Sequence, residues 1–270
     1  MTTGAAPAQA TQSQATQSYV DVYVRVIHAL MLRDMRSRFM GSYWGYLIQV
    51  LWPVVHVLAI VAIMTYRNLP SPMGDSTMLF IATGVFPLLA FKYISREMMK
   101  GHAVHKTLTY FPQVKGFDTI VARGLVEIVG SFLGLGVVFV FLLACGVDPV
   151  PVDIGMAITG YIAAMALGIA FGIANVSIAA IFPAWQIIYI LFAILLYMAS
   201  GVLFMACYLP EEAYEALRWN PLVHIIEWVR LGYEPNLPIE INYFYVLNWI
   251  FGSLFFGLLM ERTVVRKQHH

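Results

Sequence analysis

Few residues in this sequence have the type and spacing that chemistry requires. His224 and Glu227 stand at i and i+3, so one helix face could present an imidazole and a carboxylate to a metal ion. The pair reads instead as polar contacts of a helix at a membrane interface, and no metal site is assigned. His102 and His105 flank a basic loop and read as surface residues. Arg123 and Glu127, at i and i+4, are expected to pair with each other or to reach toward headgroups. Lys92, Arg96 and Glu97 gather at the end of another apolar run. No Gly-Lys dipeptide occurs, so a Walker A loop and ATP hydrolysis by this chain are not expected. Neither His-Glu-x-x-His nor Gly-x-Ser-x-Gly occurs. No succession of carboxylates runs through the apolar segments, which disfavours a carrier driven by protons or sodium. A solute moved by this chain would draw its energy from elsewhere. The expectation is a chain with no catalytic residue and no cofactor of its own.

Aromatic residues are the other candidates. Tyr43, Trp44, Trp52, Phe86, Phe91, Tyr93, Trp185, Tyr189, Phe192 and Tyr197 fall at or near the ends of apolar runs. An interfacial aromatic belt accounts for most of them. The functional alternative is the wall of a path, because the C–H faces of sugar rings pack on aromatic rings and no single contact need be tight. Trp44 and Trp52 are foremost for that role. Gly130, Gly134 and Gly136, and Gly168 with Gly172, have spacings that allow helices to approach closely.

The elements that position these residues must be membrane helices. Hydrophobic residues form 60% of the 270 and charged residues 11%, with a mean hydropathy of +0.74. A soluble domain carries about 25% charged residues, so this chain cannot cover its apolar surface with charge and must expose it to lipid. The net charge of +1 argues against nucleic acid as a partner. Two cysteines, Cys145 and Cys207, make neither a disulfide framework nor a cysteine zinc site.

Residues 1–18 lack charge and any apolar run, do not read as a secretory signal, and are expected to be a disordered tail. Residues 19–39 mix apolar positions with Arg25, Arg33, Arg36 and Arg38, which predicts a helix lying in the interface. The membrane domain is expected to fill 19–270. Six apolar runs follow at about 46–66, 78–95, 119–146, 154–182, 185–207 and 243–260, each near the ~20 residues that a bilayer needs. Only Pro183 and Ala184 part the fourth from the fifth, predicting a tight hairpin. Eleven basic residues lie on the side of both termini and three on the other, so both termini are expected to be cytoplasmic. The outer segment 208–242 is amphipathic and broken by Pro210, Pro221, Pro235 and Pro238, which predicts two short helices dipping into the outer face.

Three stretches resemble the membrane subunit of ABC-2 type exporters, with permeases of capsular polysaccharide export nearest and O-antigen permeases next. The first runs from Arg33-Asp34-Met35-Arg36-Ser37-Arg38-Phe39 through Gly41-Ser42-Tyr43-Trp44-Gly45-Tyr46 to Trp52-Pro53. The second is Leu108-Thr109-Tyr110-Phe111-Pro112 in the basic loop. The third runs from Ser200-Gly201-Val202-Leu203-Phe204 through Leu209-Pro210 to Trp219-Asn220-Pro221-Leu222-Val223-His224 and Arg230, like the family's outer re-entrant segment. The likeness covers residues from about 20 to the end.

The resemblance implies an all-α membrane protein of six spans that works as a homodimer with two copies of a separate ATPase. ATP and Mg would be bound by that partner. A periplasmic adaptor or co-polymerase would complete the assembly. The cargo implied is a lipid-linked polysaccharide passing between the two subunits. Arg33, Arg36 and Arg38 would receive its anionic end, and Tyr43, Trp44, Trp52, Phe86 and Phe91 would line its path. The loop with Lys100, His102, Val104, His105, Lys106, Leu108 and Tyr110 would be the coupling helix that fits a cleft in the ATPase, and the Phe182-Pro183-Ala184-Trp185 turn a smaller contact. O-antigen, teichoic acid or a small molecule are alternative cargoes of the same fold. A membrane enzyme or scaffold is the alternative from another class; the catalytic dyad that an enzyme needs among its spans is not found.

Overall fold

A computed structural model describes residues 19–37, 43–67, 70–101 and 114–265. Its regular elements are α1 (Tyr19–Ser37), α2 (Tyr43–Tyr66), α3 (Thr77–Met99), α4 (Gly116–Ala144), α5 (Ile154–Ile181), α6 (Trp185–Met198), α7 (Glu211–Leu217), α8 (Pro221–Tyr233) and α9 (Tyr243–Met260). A short 3-10 turn precedes α7, and a π-helical turn, Glu261–Val265, extends α9. No strand occurs among the described residues. Among the described residues, four helices, α3, α4, α5 and α9 with its extension, are long and apolar enough to cross a membrane.

Local sequence sets the helix starts. Ser76, Asp153, Asn220 and Asn242 each accept a bond from a backbone N–H of the first turn, at Leu79, Met156, Leu222 and Tyr245 respectively. Pro221 follows Asn220 as the first residue of α8, where its missing N–H costs nothing. The apolar run from Trp185 departs from expectation. Helix α6 stops at Met198 instead of reaching Cys207, and Gly201 turns the chain with φ of +76°. Residues 199–205 then run as irregular backbone.

α3 and α5 form the buried pair at the centre, while α4 and α9 turn most of their surface outward. α3 packs on α5, α4, α2 and α8, and α5 also carries α9 and α8. α1 lies against α4. One large core joins these helices except α1, with Phe80, Ile81, Val85, Ile94, Leu167, Val202, Ile225 and Val246 all closed to solvent, while Leu30 of α1 packs separately on Ala122 of α4. The expected close approach at Gly168 and Gly172 is present: a Cβ there would meet Phe91 O at 3.0 Å and Met98 Sδ at 2.8 Å. Gly136 faces open space instead, so its spacing reflects no tight contact.

Helices α5 and α9 touch most closely at Gly257, where a Cβ would lie 2.6 Å from Ala174 N. Backbone cannot yield as a flexible side chain does. Gly257→Ala is therefore expected to part the two helices and destabilise the protein by about 1–3 kcal/mol. Gly252→Ala, on the same helix with nothing within 4 Å, gains helix propensity and loses nothing. Thermal unfolding of both variants in one detergent checks the contrast; equal melting temperatures would contradict the packing.

Candidate functional site

The polar side chains collect at the two ends of α3. At one end, α1 lays Ile27 and Leu30 inward and brings Asp34 into contact with α4. Arg123 of α4 is only 7% exposed. Its Nη2 lies 3.0 Å from Asp34 Oδ1, and its Nη1 donates to the Glu97 carbonyl at 3.2 Å and lies 3.8 Å from Glu97 Oε2. Glu97 Oε1 accepts from Lys100 Nζ at 2.6 Å and from Arg96 Nη2 at 3.2 Å. One guanidinium thus binds three helices, α1, α3 and α4, just before residues 102–113. The expected pairing of Arg123 within its own helix gives way to ion pairs across helices, because both Asp34 and Glu97 are brought beside it by packing. An isolated buried charge is costly; a fork shared by two carboxylates is the arrangement that tolerates burial.

At the other end stands α8. Arg230 is fully buried. Its Nη1 donates to Gly201 O at 2.7 Å and Phe204 O at 3.3 Å, and its Nη2 donates to Val202 O at 3.1 Å. The guanidinium carbon also lies 4.3 Å from the centre of the Phe80 ring. Arg230 makes no ion pair among the described residues; burial pulls its pKa down to about 9, opposed by the charge of Glu227. It remains a cation at neutral pH and fixes the irregular turn after α6 to α3 and α8.

His224 and Glu227 have separate partners. The imidazole Nε2 meets Arg218 O at 3.2 Å and its ring stands edge-on to Tyr245. Burial lowers its pKa. Glu227 accepts from the Tyr214 hydroxyl at 3.3 Å, while its Oε1 has no hydrogen-bond partner among the described residues. Among the described residues no group of three His, Cys, Asp or Glu is placed to hold a metal. Asn220 caps α8 and donates to Ala199 O at 3.1 Å; Trp219 is exposed and its carbonyl accepts from Tyr245.

Burial raises the Glu227 pKa from 4.5 to about 7. The folded state therefore favours the neutral carboxyl. That support is complete below about pH 4.5 and is lost as pH rises to about 7, a change on the order of 3 kcal/mol. Hydrogen exchange of Glu211–Tyr233, corrected for intrinsic rates, should be faster at pH 8 than at pH 5. Glu227→Gln should flatten this difference; an unaltered difference would place the titration elsewhere.

The other sequence-derived candidates are dispersed. Trp44 and Trp52 both face outward on α2. The backbone of Tyr43 begins that helix. Phe86 and Phe91 lie inside, Phe86 at the edge of a cavity of about 410 Å³ between α3, α4, α5 and α8, and Phe91 edge-on to Phe171. The rings of Trp44, Trp52, Phe86 and Phe91 thus do not share one surface of the single chain. Arg33 and Arg36 are exposed on α1, and Lys100 ends α3. Arg38, His102, Val104, His105, Lys106, Leu108 and Tyr110 lie outside the described residues, as do residues 1–18. Sequence reasoning missed Asp34 as a partner of Arg123. Its position one turn after Leu30 on the apolar face of α1 was the available signal.

Apolar helices of membrane-crossing length, with charge gathered at their ends, make this a multi-pass membrane protein. Comparison with known proteins carries the assignment further: the chain is similar over nearly its whole length to proteins of capsule polysaccharide export, and its place is the inner membrane. It is 27% identical over 251 residues to the polysialic acid transport protein KpsM of Escherichia coli, covering 92% of this chain and 96% of that protein. It is 25% identical over 235 residues to the capsule polysaccharide export inner-membrane protein CtrC of Neisseria meningitidis serogroup A, covering 87% and 89%. It is 23% identical over 241 residues to the capsule polysaccharide export inner-membrane protein BexB of Haemophilus influenzae, covering 88% and 91%. No family model matches the chain.

Proposed function

We propose that this chain is the transmembrane permease subunit of an ATP-driven ABC exporter that moves a lipid-linked capsular polysaccharide across the inner membrane. The observation that carries the reading is the likeness to KpsM, CtrC and BexB across about nine-tenths of both chains, the first named for polysialic acid transport and the other two for capsule polysaccharide export. Two copies of the chain would enclose the path at their interface, with two copies of a separate ATPase that binds ATP and Mg. A periplasmic adaptor or co-polymerase would receive the polymer. In this reading six segments cross the membrane, both termini are cytoplasmic, and 208–242 is re-entrant.

The buried Asp34–Arg123–Glu97 joint supports the coupling assignment. It ties α1 and α4 to the end of α3, so movement imposed on Lys100, His102, Val104, His105, Lys106, Leu108 or Tyr110 would reach three helices together. Deleting the gene should remove surface polysaccharide and leave polymer inside the cell. Val104→Asp with Leu108→Asp should keep the protein in the membrane but release the co-purifying ATPase, since burial of an anchor such as Leu108 contributes on the order of 2 kcal/mol. Normal surface polysaccharide in the deletion strain would overturn the function. Unchanged co-purification would overturn the coupling assignment alone.

A further inference from the structure

A second cavity, about 650 Å³, runs between α5, α6 and α9. Along α9 it extends from Tyr245 to Phe256, about 16 Å at the helical rise. Its walls include Trp185, Tyr189 and Phe192 on one side and Tyr245 and Trp249 on the other, and no charged residue lines it. Two amides break the apolar lining: Asn175 from α5 and Asn248 from α9.

Asn175 is 3% exposed. Its orientation is fixed by chemistry, because the Trp185 indole can only donate and does so to Asn175 Oδ1 at 3.0 Å. The two donors of Nδ2 are thereby left over. The Tyr189 hydroxyl donates to Ser95 Oγ at 2.7 Å and keeps lone pairs on the side of the amide, so it can take one Nδ2 hydrogen; Nδ2 completes no well-formed hydrogen bond within the described residues, and its second hydrogen meets no acceptor there. Asn248, exposed to the same groove, makes none either. A lipid chain filling the groove would leave both amides unsatisfied in hydrocarbon, a costly arrangement.

We propose that this groove binds the glycosyl chain of the cargo, with the aromatic faces taking sugar C–H surfaces and the Asn175 and Asn248 amides taking sugar hydroxyls. The assignment rests on the reading of the protein as a polysaccharide permease and gives that reading a location distinct from Trp44 and Trp52. Hydroxyls supply an acceptor for the remaining Nδ2 hydrogen and for the Asn248 amide, and uncharged walls hold no segment of polymer in an ionic trap. Individually weak contacts suit a chain that must slide.

The test uses cells that make the polymer. Benzoylphenylalanine replaces Phe192 or Trp249 in the groove, or Phe132 at the other cavity as control, and the cells are irradiated. Adducts of purified protein are then probed with an antibody to the surface polysaccharide and by mass spectrometry. Glycan adducts at Phe192 and Trp249 but not at Phe132, with a several-fold loss of export in Asn175→Leu at unchanged membrane level, are expected. Asn175→Gln, which restores an amide, should recover part of the export. Adducts to membrane lipid alone, or to a second copy of this chain alone, would overturn the site in favour of a lipid crevice or a subunit interface. So would normal export by Asn175→Leu. These outcomes leave the function intact so long as the deletion strain still lacks surface polysaccharide; if that strain retains it, the function itself falls.

Discussion

Replacement of Arg123 by Met is expected to abolish surface polysaccharide and to lower the melting temperature of the purified protein by many degrees. The substitution leaves Asp34 and Glu97 buried beside each other without the guanidinium that holds both. Removing one member of a buried ionic cluster typically costs 3–5 kcal/mol, because the remaining charges stay out of water. Arg123→Lys should fall between, since an ammonium keeps the charge but loses the fork that reaches two helices. Glu97 keeps Lys100 and Arg96 in the Met variant; adding Asp34→Asn and Glu97→Gln removes both carboxylate charges and should recover most of the stability. If the joint also transmits movement, export stays low in that triple variant although the protein melts normally. An Arg123→Met protein with unchanged melting would show that the joint is solvated and of little weight.

The second large effect is expected at Arg230. Arg230→Met takes the donors from Gly201, Val202 and Phe204 at once. Bonds from a charged donor contribute about 1.5–3 kcal/mol each. Some of this is offset because the desolvated cation, which has no carboxylate in contact among the described residues, disappears with it. A net loss on the order of 3 kcal/mol is expected, concentrated in the turn after α6. Cys207 closes that stretch and is half-buried. In a Cys145→Ser background its reaction with a maleimide should accelerate several-fold in the Arg230→Met variant, and less in Arg230→Lys. An unaltered rate would mean that the turn holds itself without the guanidinium.

The sequence made the membrane helices legible because hydrocarbon imposes a simple rule: long apolar runs with charge only at the ends. The starts of α5 and α9 follow from Asp153 and Asn242 as caps, and the break between α7 and α8 follows from Asn220-Pro221. The end of α6 was hidden, because Ala199–Cys207 is as apolar as the helix before it. Only Gly201 marks the turn, and glycine is common in membrane helices as well. The two polar clusters were partly hidden for another reason. Arg123 and Glu127 share one helix, so spacing alone suggests a local pair, whereas the observed partners come from α1 and α3. Arg230 showed its importance only through resemblance, since a lone arginine in an amphipathic segment reads as a surface residue. Phe86 and Phe91 illustrate the converse: aromatic type marks them as path candidates, but α5 packs over that part of α3.

The shortness of α6 has a consequence for the lipid around it. Fourteen residues rise about 21 Å, against about 30 Å of hydrocarbon. Its neighbour α5, at 28 residues, rises about 42 Å and has length to spare. In the six-span reading, the bilayer on the flank of α6 must therefore thin, or the irregular stretch after Met198 must complete the crossing. Carbonyls without helical partners are costly at that depth. Those of Ala199, Gly201, Val202 and Phe204 are instead met by the side chains of Asn220 and Arg230. In the six-span reading, that short crossing lies on the flank of the α5–α6–α9 groove.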